Sequence, residues 1–363
     1  MKHLITATAS AAILAGATFS AVAQDKPFYE GKTLNFVVGY TAGGASDLSC
    51  RVFANHLGKH IAGNPTIVIR NMPGASGMNA INYVGEAARN DGLTALCGTV
   101  SIMPPLLRNP ELRVDLGKFT FIMGVADSQV FFIRADVAPG IKEGEDIFKA
   151  QNIVYGGFAV DSAKDVTGRA YLDLLGIQYK YVTGYSSDGD GRTAIQQNFV
   201  NTWMEGLGSY VAVTDPTLAK PGTIVPIFQS GLLDNEGKMT VRDPAVPDTP
   251  TFMEFYKAHF NAEPEGPLWD TVNAINGTYA ASQRSIGMAP GAPQEAVAAL
   301  QAAVEPLLAD EEFWKEARQV LGDGVQIFGG DRVQSVYQNA LNPSESTVEA
   351  IKKMVETGHA ATR

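Results

Sequence analysis

Histidine and cysteine are scarce in this chain, with five and two in 363 residues. That scarcity closes off much of catalytic chemistry. Two cysteines do not make a metal site. His3 lies near the start, His259 and His359 stand alone, and only His56 and His60 share a face, four apart on a predicted helix. A zinc protease helix needs Glu directly after the first such His, but Leu57 stands there, so the two read as a solvated pair. No Gly-x-Ser-x-Gly elbow occurs. Ser76 sits in Gly74-Ala75-Ser76-Gly77-Met78, which lacks the final glycine, so a Ser-His-Asp set has no starting point. The glycine signatures of dinucleotide and nucleoside triphosphate sites are missing too. Gly189-Asp190-Gly191-Arg192-Thr193 only superficially resembles a phosphate loop. No cofactor and no metal are implied.

Positive charge is in deficit as well. Lys and Arg number 28 against 38 Asp and Glu, for a net charge of -10. Neutralising nucleic-acid phosphates needs a basic face, so a nucleic-acid partner is not expected. A small anion stays possible, because oriented backbone N–H groups bind one without Lys or Arg. The chain also has no long apolar run beyond its beginning. There, Lys2 is followed by an uncharged stretch over 4–22 that ends in Ala21-Val22-Ala23, the small-x-small pattern of a cleavage site. Rich in Ala, Thr and Ser, the stretch barely reaches the ~20 strongly apolar residues that a membrane anchor needs. Residues 1–23 are therefore expected to be a cleaved export signal and the mature chain to be periplasmic. An oxidising compartment permits a bond between Cys50, on a predicted helix, and Cys97, on a predicted strand. Spacing alone supplies no Cα separation, and two small buried apolar side chains are the expectation.

What remains, roughly 340 residues, suits two domains. Strand and helix patterns alternate. Short apolar runs at 34–40, 66–69 and 93–98 predict strands. Apolar residues at helical spacing follow the first two, namely Leu48, Val52, Phe53, Leu57 and Ile61, then Met78, Ile81, Val84 and Ala88. Repeated strand–turn–helix units predict a parallel sheet with helices on its faces. Ser46 or Asp47 is expected to cap the first helix. A second region repeats the alternation, with strands near 121–125, 130–134, 152–155, 179–182, 200–204 and 223–228 and a helix over 163–175. A polar glycine-rich loop is expected at 186–191. Residues 243–250, rich in Pro and Asp, read as a crossing between domains. The remainder reads as mainly helical.

Two glycine turns carry the sharpest signal: Thr41-Ala42-Gly43-Gly44-Ala45-Ser46-Asp47 and Asn71-Met72-Pro73-Gly74-Ala75-Ser76-Gly77. Each follows a strand and opens a helix. A helix start offers unpaired N–H groups and the positive end of the macrodipole. Glycine lets a ligand oxygen approach that backbone closely. Two such turns on neighbouring strands point at one crevice at the carboxyl ends of the strands. A carboxylate suits that arrangement. Glu205, after the apolar strand, either reads a ligand amine or hydroxyl or is a solvated loop acid. Trp203, Tyr40 and Tyr185 are either pocket walls or core.

With these residues quoted, the chain resembles the substrate-binding receptors of tripartite tricarboxylate transporters, the Bug or TctC receptors. The likeness rests on an export signal, Val37-Val38-Gly39-Tyr40 with the first glycine turn, the second glycine turn, and Asp91-Gly92-Leu93-Thr94. Pro247-Asp248-Thr249-Pro250-Thr251-Phe252 and Ala289-Pro290-Gly291-Ala292-Pro293 also resemble stretches of that family. It is strong over the first hundred or so residues and weak in the middle. The resemblance implies an α/β, two-lobed periplasmic-binding-protein-like fold with mixed, mainly parallel sheets and a ligand cleft between the lobes. Residues 24–125 with 245–363 would form one lobe and 126–244 the other. It implies a non-enzymatic receptor that captures a small organic acid and presents it to membrane subunits of a transporter; a monomer is expected. Tyr40, Ala42, Gly43, Gly44, Ser46, Asp47, Gly74, Ala75, Ser76, Gly77 and Ser101 would serve the carboxylate, and Ser162, Asp165, Tyr185 and Glu205 the rest of the ligand. The family often has His where this chain has Asp165, and Pro-Tyr-x-Gly where it reads Thr183-Gly184-Tyr185-Ser186. A hydrolase or isomerase of the same acids, and a ligand-presenting sensor, are the other readings.

Overall fold

The computed structural model describes residues 26–234, 236–322 and 325–361, so the predicted export signal lies outside the described residues. The chain begins with β1 (Thr33–Val38), α1 (Ala45–Leu57), β2 (Thr66–Asn71), α2 (Met78–Asn82), β3 (Thr94–Gly98) and β4 (Thr120–Ala126). It continues through β5 (Gln129–Arg134), β6 (Ile153–Gly156), α3 (Ala163–Leu174), β7 (Tyr179–Val182), α4 (Asp188–Gln196), β8 (Thr202–Gly206) and β9 (Ile224–Gln229). A hairpin of β10 (Leu232–Leu233) and β11 (Met239–Val241) precedes α5 (Phe252–Phe260) and α6 (Pro267–Ser282). Then come β12 (Arg284–Met288), α7 (Glu311–Leu321), β13 (Gln326–Gly329), α8 (Gly330–Ala340) and α9 (Glu345–Ala361). No helix among the described residues is long and apolar enough to cross a membrane.

Two mixed sheets make a two-lobed α/β fold. The first runs β13-β4-β12-β3-β1-β2 and the second β7-β6-β8-β5-β9. Parallel pairing joins β1 to β2 and β3, and β6 to β7 and β8, which are the strand–turn–helix units that the sequence pattern predicts. Strands β12 and β13 enter the first sheet antiparallel. They correct the expectation of a mainly helical remainder: Arg284–Met288 is short and too weakly apolar to announce a strand, yet it sits between β3 and β4. The expected loop at 186–191 is also corrected, because Ser187 caps α4 by accepting the Asp190 N–H at 3.1 Å. Gly191 lies where α4 meets Trp203, and a Cβ there would stand 2.3 Å from the indole ring.

One apolar core continues through both sheets. It runs from Val37 and Phe121 through Val272 and Ile275 of α6 to Tyr171, Phe131 and Phe228. Inside it the Asn276 amide donates to the Tyr171 hydroxyl at 2.6 Å. Helix α5 packs on the second sheet through Phe252, whose ring centroid is 5.0 Å from that of Phe228. Helix α9 reaches the same side, where Arg169 donates to the Met354 carbonyl at 2.6 Å.

Helix α1 is fixed from both ends. Cys50 and Cys97 form a disulfide with their Cα atoms 6.0 Å apart, against the expectation of two separate thiols. The reason is the packing of α1 over the first sheet, which brings its buried face to the end of β3. His56 and His60 are likewise not a solvated pair. His56 meets Glu316 of α7 at 2.7 Å, and His60 meets Asp310, the N-cap of that helix, at 3.1 Å. Among the described residues no group of His, Cys, Asp and Glu has the arrangement to hold a metal ion.

Candidate functional site

The site begins with the two glycine turns, which pack against each other. They follow adjacent parallel strands in register, Val38 opposite Asn71. Gly39 comes so close to the second turn that a Cβ there would lie 2.9 Å from the Gly77 Cα. In the second turn Gly74, Ala75, Ser76 and Gly77 all have positive φ. For Ala75 and Ser76 that left-handed conformation costs on the order of 1–2 kcal/mol each, and strain of this kind concentrates at functional sites. The Tyr40 hydroxyl donates to the Ser76 carbonyl at 3.3 Å.

Asp47 organises the first turn and lines neither interlobe cavity. Its buried carboxylate accepts the Gly43 N–H at 2.8 Å, Arg51 Nε at 2.8 Å and the Asn71 amide at 2.9 Å. Burial pushes this carboxyl up, but the Arg51, Gly43 and Asn71 bonds outweigh it and hold the pKa at about 2. Gly44, not Ser46 or Asp47, is the N-cap of α1, because the Asp47 side chain folds back onto Gly43. Ser46 is buried and its hydroxyl meets that of Thr99, beyond β3, at 2.9 Å. The N–H groups of Ala45 and Ser46, at the first two positions of α1, have no acceptor within the helix.

Between the lobes lies a cavity of about 380 Å³. Tyr40, Ser76, Thr99, Ser101, Tyr279 and Gln283 line it from one side, and Phe158, Asp161 and Ser162 from the other. Four residues read from the sequence, Tyr40, Ser76, Ser101 and Ser162, are therefore brought together. Ala42, Gly43, Gly74 and Ala75 are exposed on the turns, Gly44 is partly so, and Gly77 is buried beneath them. Ser162 also caps α3, accepting the Asp165 N–H at 3.1 Å.

Asp165 and Glu205 are fully buried and line no cavity described here. Asp165 accepts the Ala159 N–H at 2.9 Å and the Tyr181 hydroxyl at 2.7 Å, which sets the loop carrying Phe158 and Ser162. Glu205 accepts from Arg192, Ser209 and Thr214. Burial raises the carboxyl pKa of both. Tyr185 is half-buried, its ring edge-on to Trp203 at 5.4 Å. Beneath this wall sits Lys164. Its ammonium lies 3.3 Å from the Phe158 ring centroid and 2.8 Å from Asp188, whose carboxylate also takes the Trp203 N–H at 3.0 Å. Burial lowers the Lys164 pKa against the pull of Asp188.

Sequence reasoning missed Thr99, Phe158, Tyr279 and Gln283. Thr99 was within reach, since Gly98, left-handed at the end of β3, marks a third turn beside the first two. Tyr279 and Gln283 come from the end of α6, where no local pattern marks a site. A second interlobe cavity, about 750 Å³, adjoins Ala45 at the start of α1 and shares Gln283 with the first. A groove of about 690 Å³ beside the β10–β11 hairpin contains none of the residues read from the sequence.

The sequence matches no protein-family model and no curated protein. Solved structures do match. A TctC solute-binding protein from Polaromonas superposes with a TM-score of 0.67 at 18% identity, over 90% of this chain and 99% of that one. A Rhodopseudomonas palustris protein solved with adipate gives 0.58 at 19%, over 90% and 97%. MatC from the same organism, with bound malate, gives 0.55 at 18%, over 92% and 99%. The fold of this chain is that of the TctC-type periplasmic solute-binding proteins.

Proposed function

We propose that this chain is an exported solute-binding protein that captures a small organic carboxylate in its interlobe cleft and delivers it to the membrane subunits of a tripartite tricarboxylate-type transporter. The observation that carries the reading is the pair of glycine turns on adjacent parallel strands, strained and locked together, at the mouth of a cavity to which both lobes contribute. The Ser76, Thr99 and Ser101 hydroxyls supply donors for one carboxylate in the first cavity, and the start of α1 lies beside it at the second. Phe158 and Ser162 close on it from the second lobe. Asp47, Asp165 and Glu205 act on the ligand only through the elements they hold. The malate and adipate of the two neighbours support a carboxylate ligand here. The Polaromonas protein is a solute-binding protein, which supports capture without turnover. We take the protein as a monomer.

A ligand stabilises the closed form by what it touches in that form alone. Titration of the purified mature chain with a panel of carboxylates, followed by thermal unfolding, tests the proposal. A matching acid at ~100 times its Kd raises stability by about 2.7 kcal/mol. No shift with any acid at such excess refutes it.

A further inference from the structure

The second cavity carries positive charge that the first lacks. Arg192, Arg284 and Arg318 reach its wall, as do Asp127, Asp188 and Asp243. Most of these groups are already engaged. Arg192 donates to Glu205 and Ser209. Asp188 holds Lys164 and Trp203, and Asp243 accepts the Ala245 N–H at 3.0 Å. Arg318 lies on the exposed rim.

Arg284, the first residue of β12, differs from the rest. Its Nε is buried without a hydrogen-bond partner, and among the described residues it feels Asp127 and Tyr279 only through space. Asp127 sits where the chain crosses from β4 to β5. Burial, aided by Asp243, raises its carboxyl to about 7 against the pull of Arg284 and the Ser128 and Leu207 N–H groups. Burial raises Asp243 as well. A guanidinium keeps its proton at any ordinary pH. Arg284, half-buried with its Nε unpartnered, thus stands as a cation facing a cavity. Such a group favours an anion that pairs with it. Because Gln283 lines both cavities, an extended ligand held at the glycine turns has a route to Arg284.

We infer that this cavity is the subsite for a second anionic group of the captured acid, with Arg284 as the residue that selects dianions over monoanions. The inference rests on the carboxylate reading above and specifies it: the ligand is a dicarboxylate or a comparable dianion.

The test pairs each straight-chain dicarboxylate from succinate to adipate with the monocarboxylate of equal length, from butyrate to hexanoate. Binding is measured by calorimetry on the full mature chain and on Arg284→Met and Arg284→Lys. In the native protein the best dicarboxylate is expected to bind ~10–150-fold more tightly than its partner, the range of a charge-assisted hydrogen bond. In Arg284→Met that ratio collapses toward one. Arg284→Lys, which keeps the charge but loses the planar fork, retains part of it and stands in if the Met variant does not fold. A ratio unaltered by either folded variant overturns the inference while leaving the carboxylate reading intact. A ratio near one in the native protein does the same. Failure of every acid to bind the folded native protein removes the carboxylate reading, and the inference with it.

Discussion

The Asn71 side-chain amide, at the end of β2, reaches Asp47 Oδ1 at 2.9 Å and the Tyr40 carbonyl at 3.0 Å. One side chain thus ties the second glycine turn to both ends of the first. Asn71→Ala removes two bonds and leaves a buried carboxylate under-satisfied, at a cost of roughly 1–3 kcal/mol. Urea unfolding is expected to show that loss. Carboxylate affinity is expected to fall by about tenfold or more, because the turns no longer hold a fixed spacing. Unaltered affinity in a destabilised variant would mean that the turns do not hold the ligand.

The same carboxylate sets an acid limit on stability. Its folded pKa of about 2 lies below the ordinary 3.8. A depressed carboxyl contributes stability that is present above its unfolded pKa and is lost as pH falls through the folded one. For Asp47 that window runs from about pH 4 to pH 2 and is worth roughly 2 kcal/mol. Denaturant midpoints across this window are expected to drop in the native protein and to drop less in Asp47→Asn. Parallel profiles for the two would show that Asp47 is not the group responsible.

The disulfide closes a loop with a sequence separation of 47 between α1 and β3. Chain-entropy arguments give a bond of that span a worth of about 4 kcal/mol. The Cys50→Ser, Cys97→Ser double variant is therefore expected to unfold at clearly lower denaturant, as is native protein treated with a reductant. Ligand affinity, compared at a temperature where both forms are folded, reports how far the bond also orders the first turn.

The glycine turns were legible because the chain has to reverse from strand to helix within a few residues, and glycine there is hard to replace. The left-handed Ala75 and Ser76 were not, since nothing in those residue types announces positive φ. Asp165 was read as a ligand residue through the family resemblance, and Glu205 through that and its place after an apolar strand. Their burial depends on Tyr181 and Arg192, which only the folded second sheet delivers. His56 and His60 looked solvated for the same reason, as Glu316 and Asp310 lie about 250 residues away in sequence. Arg284 left no local trace, being the start of a five-residue strand that binary patterning reads poorly.

Ser162 allows the cleft to be tested separately from the fold. It caps α3 and lines the 380 Å³ cavity. Ser162→Ala removes both roles and is expected to cost about 1 kcal/mol of stability along with some affinity. Ser162→Asp keeps the cap, since Asp accepts the same N–H and suits the positive end of a helix. Its stability is expected to stay within about 0.5 kcal/mol of native. It also sets a negative charge on the cleft wall facing Ser76 and Ser101. An acid held there meets like-charge repulsion in a half-buried site, so its affinity is expected to fall by at least ~10-fold, with a smaller deficit at high salt. An uncharged ligand would show neither the loss nor the salt dependence. If Ser162→Asp binds the acid as native protein does, the carboxylate does not lie between these two walls.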